Sequence, residues 1–260
     1  MLMSTIFHTT GIILSRRDFR EVDRWYSVLT KEHGKIEFLA RGGHKTLAKL
    51  TPHLETIAEV ELLLVQGRHY PIVAGVERRQ SYAAATANLP SLLLTQNALA
   101  LVDEATKTYE RDPAAYQLLS DWLNFLCATP AMSDERAGFL LGSFMLKLMD
   151  VSGYRPQFQE CLSCQREIEP GRYLWQALKG GVVCRPCVDG SQEQWFAARS
   201  IEDETLKLVR FALDEPFAHQ IRPNLSGIHI QNFHEVLESF VVSHFPTIPA
   251  VSMRTACVTV

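Results

Sequence analysis

No stretch of this 260-residue sequence stays apolar for the roughly 20 residues that a membrane-spanning helix needs. The longest candidate, AGFLLGSFMLKLMDV, is interrupted by Ser143 and Lys147. It suits a buried helix, and no membrane partner is expected. The opening MLMSTIFHTTG lacks a basic segment leading into an apolar core, so no signal peptide is expected and the chain reads as cytoplasmic. Repeats and low-complexity tracts are absent as well. Charge is sparse at 21%, while the hydrophobic share of 47% is ordinary for a globular chain. Disorder is therefore excluded, and 260 residues suffice for a substantial core without help from metal.

The motifs of common hydrolytic chemistry are missing too. GGHKT at residues 42–46 is close to a P-loop, but His44 separates the glycines from Lys45, and the required earlier glycine is absent. His53-Leu54-Glu55 has the H-x-E form of zinc deaminases, yet no P-C-x-x-C accompanies it. G-x-S-x-G does not occur. His8, His33, His69, His219, His229, His234 and His244 are scattered rather than clustered. No catalytic residue is expected, and the chain does not read as an enzyme.

Cysteine is scarce, but it is concentrated. Four of the six cysteines form C-x2-C-x19-C-x2-C: Cys161, Cys164, Cys184 and Cys187. In a cytosolic chain such pairs are metal ligands rather than disulfides. Two knuckle turns present four soft thiolates, which suits one Zn2+. Four thiolates leave no position open for water, so a structural ion is expected, not a catalytic one. The module would hold together a polar loop of about 30 residues. Arg166, Arg172, Lys179 and Arg185 near it are mixed with Glu160, Glu167 and Glu169, which favours a staple over a nucleic-acid reader.

Net charge is −3, but the charges are unevenly placed. Residues 1–80 carry 12 Lys+Arg against 9 Asp+Glu, and residues 81–260 carry 14 against 20. A basic front on an acidic body can set one face against a polyanion.

The front reads as strands. FHTTGIILS, RWYSVLTKE, GKIEFLARG and TIAEVELLLVQGRHYPIVAGVE are β-rich, alternate apolar with polar, and are punctuated by glycines. Short strands at this spacing predict a small barrel over residues 1–80. Helical patterns follow over 81–157, with Pro113 at one helix start and Ser133 as an N-cap. Gly142, four residues after Gly138, would let a second helix approach, and Gly153 would end the helix. The cysteine loop occupies 158–190. Helices resume over 191–250, where Ser200-x-x-Asp203 has capping-box form, and 251–260 reads as a tail. The fold class expected is α+β: a β-barrel, then a helical domain with an inserted four-cysteine loop.

Small barrels bind single strands with cations along the backbone and aromatics under the bases. The candidate DNA contacts are Arg16, Arg17, Arg20, Lys35, Arg41, His44, Lys45 and Lys49. Phe19, Trp25, Tyr26 and Phe38 are the stacking candidates, although a small barrel also needs aromatics for its core. Two other readings compete. A zinc-ribbon protein of transcription or translation would gather basic charge around the cysteines. A metalloenzyme would need an open metal.

TTGIILSRRDFREVDRWYSVLTKEHGKIEFLARGGHK resembles the start of the RecO family of recombination mediators. The Leu29-Thr30-Lys31-Glu32-His33-Gly34-Lys35 hairpin matches closely, and so does the order of barrel, helical body, four-cysteine loop and closing helices. The resemblance implies an OB-fold first domain and binding to single- and double-stranded DNA. It implies strand annealing and help in loading RecA, an indirect partner, onto DNA coated by single-strand-binding protein. RecR, the acidic C-terminal tail of single-strand-binding protein and a bacterial nucleoid location are implied with it. One departure stands out: Gly43, His44, Thr46 and Ala48 thin out a loop that in the family is often denser in Arg and Lys.

Overall fold

A computed structural model of the chain describes residues 6–41, 51–54, 57–129, 132–222 and 224–245. It is an α+β protein that divides into two compact units, Met1–Ala131 and Met132–Val260.

Five strands build the first unit: β1 (Ile6–Phe19), β2 (Asp23–Thr30), β3 (Gly34–Ala40), β4 (Ala58–Gln66) and β5 (Pro71–Ser81), with the single-turn helix α1 (Thr51–Leu54) before β4. They close into a barrel in the order β1-β2-β3-β5-β4. Closure rests on β1, which is long enough to pair on both sides. Ile6–Ile12 pairs with β4, and Gly11–Phe19 pairs with β2. The two ladders overlap at Gly11, where a Cβ would stand 2.8 Å from the Leu29 carbonyl oxygen. A side chain there would push the strands apart. The β1–β2 register slips between Ile13 and Ser15, a bulge that bends the strand into the ring.

Alternation decides what lies inside. Tyr26 and Val28 of β2, Ile36 and Phe38 of β3, and Ala58, Val60, Leu62 and Leu64 of β4 fill the core. Their neighbours in sequence face outward. Tyr26 and Phe38 stack on each other at 5.6 Å and are closed off from solvent, so neither is available to a base.

The barrel does not stand apart from the helices that follow it. Helices α2 (Leu89–Ala105) and α3 (Pro113–Ala128) belong to the first unit, which runs to Ala131. Asn88 and Asp112 cap them, accepting the Ser91 and Ala115 N–H groups at 3.0 and 2.9 Å. The tie is polar. Asp103 at the end of α2 accepts hydrogen bonds from Ser15 (2.7 Å) and Ser27 (2.8 Å) and pairs with Lys35 Nζ at 3.3 Å. One carboxylate thus joins β1, β2 and β3 to the helix. Tyr116 of α3 donates to Glu59 of β4 in the same way.

The second unit contains α4 (Asp134–Val151), β6 (Tyr173–Gln176), β7 (Gly181–Cys184), α5 (Arg185–Gly190), β8 (Arg199–Ser200), α6 (Asp203–Asp214), α7 (Phe217–Gln220) and α8 (Gly227–His244). Ser133 caps α4, and Gly153 ends it at φ +87°. Almost every side of α4 is buried, and it packs against α6 and α8. At Gly142 a Cβ would meet the Phe233 ring at 2.5 Å, so α8 comes as close as a glycine permits. The capping-box pattern is not realised: Ser200 lies in β8 and Glu202 is the N-cap. Asp203 instead accepts from the Gly171 N–H (2.8 Å) and the Tyr173 hydroxyl (2.6 Å), fastening the cysteine loop to α6. No helix among the described residues is long and apolar enough to cross a membrane.

Replacing Asp103 with Ala leaves the buried Ser27 hydroxyl without its acceptor and Lys35 without its carboxylate, with only the backbone carbonyl of residue 103 remaining. The expected cost is about 2–3 kcal/mol, read as a lower urea midpoint at unchanged slope. A midpoint equal to wild type would contradict the tie.

Candidate nucleic-acid interface and metal centre

The outer face of the β1-β2-β3 sheet has two parts. The part bearing Ser15, Ser27 and Lys35 is covered by Asp103. The next row toward the β1–β2 turn is partly exposed, with Arg17 exposed, Trp25 half-buried and Leu39 buried. Register places Arg17 opposite Trp25, Trp25 opposite Leu39, and Leu39 beside Ile72. Phe19 lies on the same face of β1 as Arg17, two residues on. The rings meet in sequence: Phe19 to Trp25 at 5.9 Å and Trp25 to Tyr70 at 5.0 Å. Cations lie over them, with Arg17 at 5.7 Å from the Trp25 centroid and Arg20 at 5.2 Å from that of Phe19. The result is a partly exposed strip of three aromatic rings flanked by two guanidinium groups. Glu37 on β3 stands 3.7 Å from Arg17 and partly neutralises it.

The sequence-predicted contacts separate on this frame. Arg17 and Arg20 belong to the strip. Arg41 is exposed at the end of β3. Arg16 pairs with Tyr26, whose side chain points inward, so the two-residue period turns Arg16 to the opposite face of the hairpin from Arg17. Lys35 is committed to Asp103, donating to its backbone carbonyl as well as pairing with its carboxylate, and only 14% of its side chain is exposed. His44, Lys45 and Lys49 lie outside the described residues. Tyr70 was missed. Its signal was an aromatic in the GRHYP turn between two strands, where a core role is not needed. Glu37 was missed because a single acidic residue in an alternating strand looks like ordinary solvent-facing charge.

The second constellation is the cysteine module. The Cys161 N–H donates to the Arg166 carbonyl, and the Gln165 N–H to the Cys161 carbonyl, both at 2.9 Å, closing the first knuckle. Gln165 takes φ +58° there, a conformation that glycine adopts at lower cost. Cys184 ends β7, and Cys187 lies in α5. The four sulfurs lie within 4.8 Å of one another, and Cys164 and Cys184 are 3.8 Å apart. Tetrahedral zinc with bonds of about 2.3 Å sets sulfurs about 3.8 Å apart, so the cage has the right size. Ser163 and Cys184 N–H groups reach Cys161 Sγ at 3.4 and 3.3 Å, and Arg166 Nε reaches Cys164 Sγ at 3.4 Å. Arg166 brings the Cys164 thiol down to about 6, whereas burial pushes Cys184 up to about 12. These donors favour negative sulfur, which is the state that binds metal. The four cysteines can therefore hold a metal ion, with no position left for a substrate.

The module is anchored to its own unit. Trp175 of β6 stacks on Phe158 at 5.1 Å, meets Phe240 of α8 at 5.8 Å, and donates from Nε1 to Ser239 at 2.9 Å. Its cations are mostly engaged locally: Lys179 sits 4.0 Å from the Trp195 centroid, and Arg172 pairs with Glu169 at 3.3 Å.

Comparison with known proteins places this architecture. The family profile described as Recombination protein O N terminal matches residues 3–82, and the one described as Recombination protein O C terminal matches residues 78–245. A Symbiobacterium thermophilum protein named DNA repair protein RecO is 27% identical, over 92% of this chain and 92% of that protein. A Cutibacterium acnes protein of the same name is 31% identical, over 70% of this chain and 74% of its own length. A third, from Moorella thermoacetica, is 24% identical over 92% and 86%. With both halves matched, and in this order, the chain belongs to the RecO family.

Proposed function

We propose that this chain is a DNA repair and recombination mediator. It binds single- and double-stranded DNA, anneals complementary strands, and helps load RecA onto DNA coated by single-strand-binding protein, without hydrolysing nucleotide. The observation that carries the reading is the open strip Arg17, Phe19, Arg20, Trp25 and Tyr70. Guanidinium groups neutralise phosphates, and rings offer stacking surfaces that do not depend on base identity. Annealing needs this combination, because two strands approach only when their phosphate repulsion is screened. We assign the barrel to the OB-fold, a reading supported by its five closed strands and its 1-2-3-5-4 order. Arg41 continues the strip, with His44, Lys45 and Lys49 following in the sequence. Arg16 serves the reverse face, and Lys35 has a structural role.

The four cysteines hold one structural Zn2+ in this reading. RecR, the acidic tail of single-strand-binding protein and a cytoplasmic, nucleoid-associated location are carried from the family.

Four outcomes test these assignments. Single-strand affinity should fall steeply with salt, at a log–log slope near −0.7 per phosphate contacted. Arg17→Ala with Arg20→Ala should flatten that slope by roughly one unit, and a slope that stays unchanged refutes the surface. Glu37→Gln should release Arg17 and tighten binding at low salt, by up to about fivefold; weaker binding would contradict its role as competitor. Elemental analysis should find one zinc per chain, lost in Cys164→Ser along with thermal stability. A fully folded, metal-free protein would show the ion to be dispensable.

A further inference from the structure

The connection between α2 and α3 completes the barrel at a gap. Strand β3 meets β5 only at Leu39 and Ile72, which leaves the edge of its first half without a strand partner. Thr108 and Tyr109 run along that edge. Thr108 bridges Lys35 in parallel, and the Tyr109 N–H donates to the Lys35 carbonyl at 2.8 Å. Gly34 permits the approach, since a Cβ there would overlap the Glu110 carbonyl. An exposed Lys107–Glu110 ion pair at 3.5 Å spans the segment. The segment therefore sits at strand spacing, about 4.8 Å, from β3.

This fixed segment carries a tyrosine that the fold does not need. Tyr109 adopts φ +62°, a conformation that costs free energy for any residue with a Cβ, and its side chain gains no core contact in exchange. It is 60% exposed, more than any other described tyrosine. Partial burial, and after it the Glu37 carboxylate, push its phenol above the ordinary tyrosine value. The Tyr109 backbone lies beside Lys35, two residues before Glu37 on β3, and Glu37 is the residue that pairs with Arg17 on the strip. Along β3 the order is Lys35, then Glu37, then Leu39 beside Trp25, so Tyr109 stands on the same strand edge, beyond the acidic residue that bounds the Tyr70–Trp25–Phe19 strip.

We propose that Tyr109 is a base-stacking residue that makes this face prefer single-stranded over duplex DNA. The proposal rests on the reading of the barrel strip as a DNA surface. Bases in a duplex are stacked on one another and cannot receive the ring, whereas unpaired bases can. Phosphate contacts through Arg17 and Arg20 serve both kinds of DNA; the Tyr109 contact serves only one.

The test uses the full chain, a labelled oligodeoxythymidine and a labelled hairpin duplex, read by fluorescence anisotropy. Tyr109→Asn removes the ring while keeping a residue that tolerates positive φ, so the fold should hold or gain stability. It should weaken oligodeoxythymidine binding about tenfold or more, with duplex affinity and salt slope unchanged. Tyr109→Phe should bind as wild type. In wild type, an oligonucleotide carrying 5-iodouracil should crosslink at Tyr109. Arg17→Ala is the comparator and should weaken both DNAs. If it does, while Tyr109→Asn binds normally or loses both DNAs equally, the stacking role is wrong and the strip stands. If Arg17→Ala also leaves both affinities unchanged, the strip itself is wrong, and the stacking role with it.

Discussion

The two-residue period of a closed barrel governs the first unit. Once Tyr26, Phe38 and the alternate residues of β4 occupy the inside, their sequence neighbours have no choice but the outside. Arg17, Trp25 and Leu39 are thereby set in one row across three strands, with Glu37 on the same face in the next row, opposite Ser27. Slipping β1 by one residue would bring Arg16 to that row and send Arg17 to the other face. Gly11 and the bulge before Ser15 hold the register, because β1 must satisfy two ladders at once. The function assigned to this face is a consequence of barrel closure. Arg20 from the β1–β2 turn and Tyr70 from the β4–β5 turn complete it.

The second unit solves a different problem. Its helices bury a continuous apolar core around α4, but the segment between α4 and α6 has only a small cluster of its own, made of Cys161, Leu174, Val183 and Trp195 with a few half-buried neighbours. A cluster of that size holds little independent stability. Four thiols placed to share an ion lie in that segment, and Tyr173 with Asp203 and Trp175 with Ser239 tie it to α6 and α8. Four thiolates would fill the shell of a bound ion, and Lys179 and Arg172 of this module are engaged locally.

Much of this was legible in the residues. The alternation in AEVELLLV placed the β4 core correctly, and the cysteine spacing picked out the four residues whose sulfurs cluster. Ser133, Gly142 and Gly153 acted on α4 as local chemistry dictates. What stayed hidden was long-range. Asp103 meets partners 68 to 88 residues earlier in the chain, and nothing near it announces that it will hold Lys35 or draw α2 onto the barrel. Adjacent arginines at 16 and 17 looked like one patch, but the strand sends them to opposite faces. The capping-box pattern at Ser200 was outcompeted because a strand claimed Ser200 and the cysteine loop claimed Asp203. In each case a local preference lost to a tertiary contact.

The central claim is that the open barrel strip, and not the cysteine module, receives the single strand. The most direct measurement is an amide chemical-shift map on adding oligodeoxythymidine to the metal-loaded protein. The account predicts shifts concentrated at Arg17–Arg20, Trp25, Glu37 and Tyr70, with Cys161–Cys187 unmoved. Shifts confined to the cysteine module, with the strip silent, would contradict it.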